Sequence, residues 1–173
     1  MIFGQSRSLA LAAFLSVAAC TSASAEELTI EGVGISRDVP CDGSDVGVYG
    51  ASNEIHLTGT CGNIIVHGHA HKVTFETGKA LAVSGMEHKV SGGEVGTLSV
   101  DTSDNEVKAT IRAAEGEAAV EVAGANNRLT LEFAGASVIG VNGVENTVDY
   151  ALAGGAPKPK ISSTGTGHAI KAK

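Results

Sequence analysis

The stretch Val120-Glu121-Val122-Ala123-Gly124-Ala125-Asn126-Asn127-Arg128-Leu129-Thr130-Leu131 contains a pattern that recurs along the chain. An apolar residue is followed at two-residue steps by Val and Gly. A polar Asn or His comes three residues after the Gly, and a second alternating apolar segment begins two residues later. Strict alternation of apolar residues is typical of β-strands with one buried face. The stretch therefore predicts two short strands joined at a polar corner.

Seven copies of this pattern align, and glycine marks the same position in all but one of them. This column falls at residues 50, 68, 85, 102, 124, 143 and 165, with Thr102 as the exception, so the steps are 18, 17, 17, 22, 19 and 22 residues. A period of about 20 residues with two short strands per copy is typical of a solenoid. Stacked copies bury a continuous core that one copy cannot bury alone.

The predicted fold is all-β: a single-domain parallel β-helix, or β-solenoid, of about seven to eight rungs over residues 26–173. Residues 26–44 begin with the alternating Leu28 and Ile30, but they have no clear Asn position. We therefore expect an irregular first rung that covers the end of the stack. A low aromatic content of 3% and 23 glycines suit thin, closely stacked layers.

Each column of the alignment becomes a ladder, because equivalent positions on successive rungs lie about 4.8 Å apart. Two apolar columns are predicted to face the core; one pairs Val48 with Val66 and the other pairs Ile55 with Val73. The polar column falls at a corner, where Asn tolerates a positive φ and can bond the same amide on the next rung. The predicted structural corner ladder contains Asn53, His71, His88, Asn105, Asn127, Asn146 and His168.

The first residues have the features of an export signal. Residues 1–25 contain Arg7, then an apolar run, and they end in small residues, which predicts a secretory signal peptide cleaved after Ala25. Alternatively, Val17-Ala18-Ala19-Cys20 resembles a lipoprotein signal over residues 1–19 and would leave a lipidated Cys20. Both interpretations export the protein, either to the periplasm or medium or to a lipid anchor in the outer membrane. Neither leaves a transmembrane segment in the mature chain.

Two cysteines, Cys41 and Cys61, remain in the body of the chain. Disulfides persist in exported proteins, so we predict that these two cysteines are bonded. Closing a loop of this length stabilises a fold by about 3 kcal/mol on the chain-entropy model. The alternative is a pair of free buried thiols.

The predicted mature chain is acidic. Removing residues 1–25, which contain Arg7 and no acid, leaves 11 basic residues against 19 acidic ones, a net charge of −8. A surface of that sign repels phosphate backbones, which argues against nucleic-acid binding. The partner classes that remain are an envelope protein or a glycan. A homo-oligomer also stays open, because both solenoid ends present strand edges.

A histidine cluster is the main candidate for binding chemistry. The column alignment places His71 beside His88, and imidazoles about 5 Å apart can share Zn²⁺ or Cu²⁺, with His69 as a third ligand. The structural alternative is that His71 and His88 replace Asn in the corner ladder. A third interpretation is a pH-sensitive corner, because stacked imidazoles resist joint protonation.

No catalytic set is predicted. An outward column contains Tyr49, His67, Ser84 and Asp101, but in a hydrolytic triad the His must lie between the Ser and the acid. A small glycan-active enzyme is an alternative based on Asp101, Asp104 and Arg112, although the chain has no Trp for sugar stacking. The leading hypothesis is therefore a noncatalytic exported solenoid that serves as a structural or interaction module of the cell envelope.

The stretch Leu57-Thr58-Gly59-Thr60-Cys61-Gly62 is preceded by Cys41-Asp42-Gly43 and followed by repeated Val-x-Gly-x-x-Asn-x-Val phrases. In these features the chain resembles exported bacterial proteins grouped as Domain of Unknown Function family 3060. The resemblance covers about Cys41 to Tyr150. It implies a secreted or lipid-anchored β-solenoid with no established activity. The chain departs from the family pattern by placing His at three of the Asn corners.

Overall fold

A computed structural model of the chain describes residues 27–173. The signal peptide, the lipoprotein alternative and Cys20 lie outside these residues. The described part of the chain is all-β, and its strands are β1 (Glu27–Val33), β2 (Ser36–Pro40), β3 (Asp45–Ala51), β4 (Glu54–His69), β5 (Lys72–Met86), β6 (Lys89–Ser103), β7 (Glu106–Ile111), β8 (Ala118–Val122), β9 (Arg128–Phe133), β10 (Ser137–Val144), β11 (Thr147–Leu152), β12 (Lys160–Thr166) and β13 (Ala169–Ala172). Within this range, no helical segment has the length and apolarity needed to cross a bilayer.

All strand pairs are parallel and wind into a solenoid of eight turns, which confirms the predicted fold. The segments before the corner stack in the order β1, β3, β4, β5, β6, β8, β10, β12. The segments after the corner stack in the order β2, β4, β5, β6, β7, β9, β11, β13. The strands β4, β5 and β6 occur in both stacks because each continues from one turn into the next.

The first rung is regular where we expected irregularity, so that prediction was wrong for its first half. Strand β1 pairs with β3 along its whole length, with Ile30 on Val48 and Gly32 on Gly50. The corner position is present too, but Ile35 occupies it in place of Asn, which hid the pattern. Within the described residues, which begin at Glu27, no earlier turn donates a hydrogen bond to this position, so an apolar residue fits there.

The core is a narrow column of aliphatic side chains from both stacks. The predicted ladders face inward, and Val48, Val66, Ile55 and Val73 are each at most 1% exposed. Burial of each such side chain contributes about 1.5–3 kcal/mol relative to leaving it in water. Phe133 is the largest of the fully buried side chains in the described residues, and Leu57 and Leu81 are comparably buried in earlier turns.

The glycine column marks the place where successive turns approach most closely. Gly143 has a φ of 107°, a conformation that L side chains rarely adopt. A Cβ atom there would overlap the carbonyl oxygen of Gly124 on the preceding turn. Thr102, the exception in this column, retains the same left-handed backbone with a φ of 78°. The column is therefore fixed by backbone contact between turns and not only by turn propensity.

We predict that Gly143→Ala lowers the free energy of unfolding by at least about 2 kcal/mol, because it combines backbone overlap with an unfavourable φ. Gly135→Ala is the matched control, since a Cβ atom at Gly135 meets nothing within 4 Å. Urea unfolding followed by circular dichroism measures both variants. Equal stabilities for the two variants would contradict the role given to the glycine column.

The predicted disulfide is present. Cys41, which follows β2, and Cys61, within β4, are bonded with their Cα atoms 4.8 Å apart. Both side chains are buried, with exposures of 0% and 2%. The bond joins the first and second turns of the part of the chain that the structure describes.

Candidate functional site

The corner ladder is the main polar feature of the interior, and it runs the length of the solenoid. Six of its seven predicted members are at most 1% exposed, and His168 in the last turn is half-buried. Buried polar side chains of this kind need partners, because an unpaired one costs about 1–3 kcal/mol. The buried members are Asn53, His71, His88, Asn105, Asn127 and Asn146.

Each ladder side chain accepts a hydrogen bond from the backbone N–H of the corner residue one turn earlier. Ile35 N–H donates to Asn53 Oδ1 at 2.9 Å, and Asn105 N–H donates to Asn127 Oδ1 at 3.0 Å. Seven such bonds join the eight corners, all between 2.9 and 3.3 Å. The donor always belongs to the earlier turn and the acceptor to the later one.

The Asn side chains also use their donor hydrogens inside the fold. Asn127 Nδ2 lies 3.0 Å from the carbonyl oxygen of Ala123 in its own turn and 2.9 Å from that of Thr102 in the preceding turn. It lies 3.1 Å from Asn146 Oδ1 on the following turn, so the predicted amide-to-amide contact is confirmed. Asn105 has the same contact with Asn127 at 3.1 Å.

Imidazole reproduces this bonding at the His corners. Asn53 N–H donates to His71 Nδ1 at 3.2 Å, and His71 N–H donates to His88 Nδ1 at 3.1 Å. The other ring nitrogens, Nε2, lie 3.2 Å from His67 O and 3.0 Å from Ser84 O, where only a donor can bond. Both rings are therefore neutral, with the hydrogen on Nε2. The structural interpretation of these corners agrees with this geometry.

The two imidazoles stack directly, as the column alignment predicted. The ring centroids of His71 and His88 are 5.1 Å apart and the planes differ by 5°. Burial lowers the pKa of both rings, and it lowers that of His88 to about 4. A second proton would sit on Nδ1, the atom that accepts a backbone N–H, so protonation removes a ladder bond as well as burying a charge.

The positive φ predicted for the ladder Asn residues was assigned to the wrong position. It occurs one residue earlier, where Ser52, Ala70, Glu87, Asp104, Asn126 and Glu145 have φ between 55° and 62°. The ladder residue itself needs a backbone that directs its side chain inward. Gly34 and Gly167, which precede the first and last corners, are the sequence signal for this left-handed column.

The three residues predicted as metal ligands do not form a ligand set in the structure. His69 is an exposed side chain, and its Nε2 lies 3.8 Å from Glu87 Oε2. His71 and His88 use both ring nitrogens in the ladder, so a metal would have to displace a backbone group. No group of three His, Cys, Asp or Glu side chains within residues 27–173 is placed to hold a metal ion. Zn²⁺ or Cu²⁺ binding by His69, His71 and His88 stays a prediction that requires the corner to open.

The outward column has the order expected from the sequence. His67 Nδ1 lies 2.8 Å from Ser84 Oγ, and Asp101 follows on the next turn. Ser84 thus separates the imidazole from the carboxylate, in the arrangement that does not orient a catalytic His. Tyr49 donates a hydrogen bond to Glu27 Oε1 at 3.1 Å, a contact across turns that sequence reasoning missed.

The residues grouped for glycan chemistry have separate partners. Arg112 Nε lies 2.9 Å from Glu94 Oε2, beside a groove of about 620 Å³ next to the loop after β7. Asp101 Oδ1 accepts the backbone N–H of Thr102 at 2.9 Å. Asp104 is one of the residues with a positive φ at the corner. The structure gives these side chains structural contacts and does not assemble them around one substrate site.

The fold and the corner column define the class: a parallel β-solenoid whose turns are joined by an internal ladder of Asn and His side chains. The chain belongs to the family described as "Protein of unknown function (DUF3060)", which it matches over residues 48–105 and 100–167. The resemblance inferred from the repeats is thereby confirmed. No curated protein and no solved structure matches the chain.

We predict that Asn127→Ala lowers the free energy of unfolding by about 3 kcal/mol or more, because several buried groups lose their partners together. Asn142→Ala is the matched control, since Asn142 is an exposed Asn in the neighbouring turn. Thermal and urea unfolding of both variants provide the measurement. An Asn127→Ala protein as stable as the control would show that the ladder contributes little.

We predict that stability falls as the pH drops from about 6.5 toward 4. The unfolded His88 takes up a proton near its ordinary value of 6.5, whereas the folded ring resists it until about 4. The unfolded state therefore binds more protons in this interval, and stability rises with pH across it. This shift corresponds to a loss on the order of 3 kcal/mol at the acid end.

Urea unfolding at several pH values tests this dependence. Protonation of Asp and Glu affects the native protein and its variants alike, so the difference between their slopes reports on the imidazole. His88→Asn keeps an acceptor for His71 N–H but does not titrate, so its stability should vary less with pH than that of the native protein. His56→Asn, which changes an exposed imidazole, should retain the native slope. Parallel slopes for all three proteins would contradict the prediction.

Proposed function

We propose that the chain is a noncatalytic, exported β-solenoid that acts as a structural or interaction module of the cell envelope. The observation that carries this proposal is the use of the ladder side chains inside the fold. Asn127 Oδ1 accepts the N–H of Asn105 from the preceding turn, and its Nδ2 lies 2.9 Å from Thr102 O in that turn. His88 Nδ1 accepts the N–H of His71 from the preceding turn, and its Nε2 bonds Ser84 O within its own turn. The polar atoms of these side chains are used in hydrogen bonds inside the solenoid and are not available to a substrate.

The shape of the fold also supports an interaction role. Eight turns about 4.8 Å apart give a stack about 34 Å long with continuous sheet faces. Such faces suit recognition of an extended partner, and envelope proteins and glycans are the classes that match an exported chain. Ion pairs on one face, such as Lys72 with Glu54 at 2.6 Å, are exposed and contribute little to stability.

Export is supported by the signal pattern in residues 1–25 and by the disulfide between Cys41 and Cys61. Disulfides persist in the periplasm and outside the cell, whereas the cytosol keeps cysteines reduced. The soluble form begins at Glu26 and the anchored form at an acylated Cys20. Both forms place the solenoid in the same oxidising environment.

The test is fractionation of a Gram-negative host that produces the complete chain, followed by mass spectrometry of the mature protein. We expect an envelope location, a mature terminus at Glu26 or an acylated Cys20, and a bonded Cys41–Cys61 pair. Cys20→Ala is the matched variant: it should leave a soluble form unchanged and release an anchored one. A cytoplasmic protein with residues 1–25 intact and free thiols would overturn the proposal.

The noncatalytic part of the proposal needs its own test. The purified protein should release no product from a panel of envelope and plant polysaccharides. Turnover that disappears in Asp101→Ala, with the fold intact by circular dichroism, would overturn it in favour of the glycan-active alternative.

A further inference from the structure

The two ends of the solenoid have opposite charge. The first turn, residues 27–44, contains four acids and one Arg, a net charge of −3. The last turn with its approach, residues 153–173, contains four Lys and no acid, a net charge of +4. The chain as a whole is acidic, so the basic end is a local feature and does not follow from composition.

Within residues 27–173, the first and last turns both present edges of parallel strands. Strand β12 is exposed along its length and in this range pairs only with β10, and Ile161 on its core-facing side is 43% exposed. At the other end of the described stack, β1 pairs only with β3 and β2 only with β4. Such edges carry unpaired backbone groups that can accept another parallel strand.

We propose that the C-terminal end of one molecule binds the N-terminal end of another, so that the occupant of each end is a second copy of this chain. The proposal rests on the proposed function, because it names a partner for the interaction module. Charge complementarity selects this occupant: two like ends repel each other, and the two unlike ends attract.

Continuing the register across the junction places opposite charges directly beside each other. The column of Glu27 runs through Asp45 and Asn63, which are hydrogen-bonded, and in the same register through the following turns to Lys160 in the last turn. One further step would therefore set Lys160 on Glu27 of the next copy, about 4.8 Å away.

A second column gives the same result. It runs from Asp38 through His56 and the following turns to Lys171. The next step sets Lys171 on Asp38 of the next copy. Lys160 already contacts Glu117 within its own molecule at 2.6 Å, but its side chain is 73% exposed and stays accessible to a partner.

Three residues of the first turn weaken such a junction and make it reversible. Ile35 has no acceptor for the backbone N–H of His168, so the ladder would stop at the junction. Pro40 lacks an N–H on the free edge of β2. Arg37 lies in the core-facing column of Ile55 and would meet Ile170. The attraction between charged side chains therefore carries the association, and salt should control it.

The experiment is sedimentation velocity of the purified protein over a concentration series, at about 20 mM and about 500 mM NaCl. We expect dimers and longer chains at low salt, with an apparent Kd at least about tenfold weaker at high salt. A protein that stays monomeric at both salt concentrations would overturn the proposal.

Charge reversal at each end makes the test specific. Lys160→Glu with Lys171→Glu changes the net charge of residues 153–173 from +4 to 0 and sets an acid opposite Glu27 and Asp38 at the junction. Glu27→Lys with Asp38→Lys changes the net charge of residues 27–44 from −3 to +1 and sets a Lys opposite Lys160 and Lys171. Each double variant should be monomeric alone, and an equimolar mixture should assemble like the native protein. Lys89→Glu with Lys108→Glu is the matched control on the side of the solenoid and should assemble normally. Assembly of either end variant alone would contradict a head-to-tail contact.

A variant that should bind more tightly provides an independent test of the head-to-tail contact. Ile35→Asn supplies the acceptor that His168 N–H lacks, in a corner where Gly34 already has the required positive φ of 69°. This variant should assemble more tightly than the native protein and keep its association at higher salt. Weaker assembly would count against the register. Fractionation of the host is unaffected by these variants, so failure of head-to-tail binding is distinguishable from failure of the proposed envelope role.

Discussion

A backbone N–H at each corner points along the axis of the solenoid, away from the turn that contains it. It would be buried without a partner if the next turn did not bring an amide or imidazole to it. Asn105, Asn127 and Asn146 meet this requirement with an oxygen, and His71 and His88 meet it with Nδ1. The left-handed residue before each corner and the close approach of the turns at the glycine column are consistent with this one contact.

This requirement explains why either Asn or His can occupy a position in the same column. Both side chains place an acceptor near the preceding turn and a donor near the carbonyl four residues earlier, as His88 does with Ser84 and Asn127 with Ala123. The two residues differ in titration. Burial holds the pKa of His88 down, so the imidazole serves as an amide only while it is neutral. A structural column thereby acquires a dependence on acidity.

Much of the architecture could be predicted from sequence because the repeat has a fixed internal spacing. The distance from Gly50 to Asn53 recurs at Gly124 and Asn127, so columns could be aligned even though the turns differ in length. Ile35 was missed because no earlier turn within residues 27–173 donates to its position, so the position carries no polar signal. The left-handed residues were missed because Ser52 and Ala70 carry no preference that marks such a backbone. The ion-pair partner of Arg112 depends on the geometry of the adjacent loop, and the spacing of the repeats does not predict that geometry.

The ladder has a direction, since the turn that donates always precedes the turn that accepts. A polypeptide threaded through a membrane with its N-terminus leading would complete each corner only after the following turn had arrived. Ile35 needs nothing from an earlier segment, and its own N–H is met by Asn53. The order of bonds along the axis therefore matches the order in which residues would emerge. Each arriving turn would bond the corner of the turn before it, so assembly would need only neighbouring turns and not the distant end of the chain.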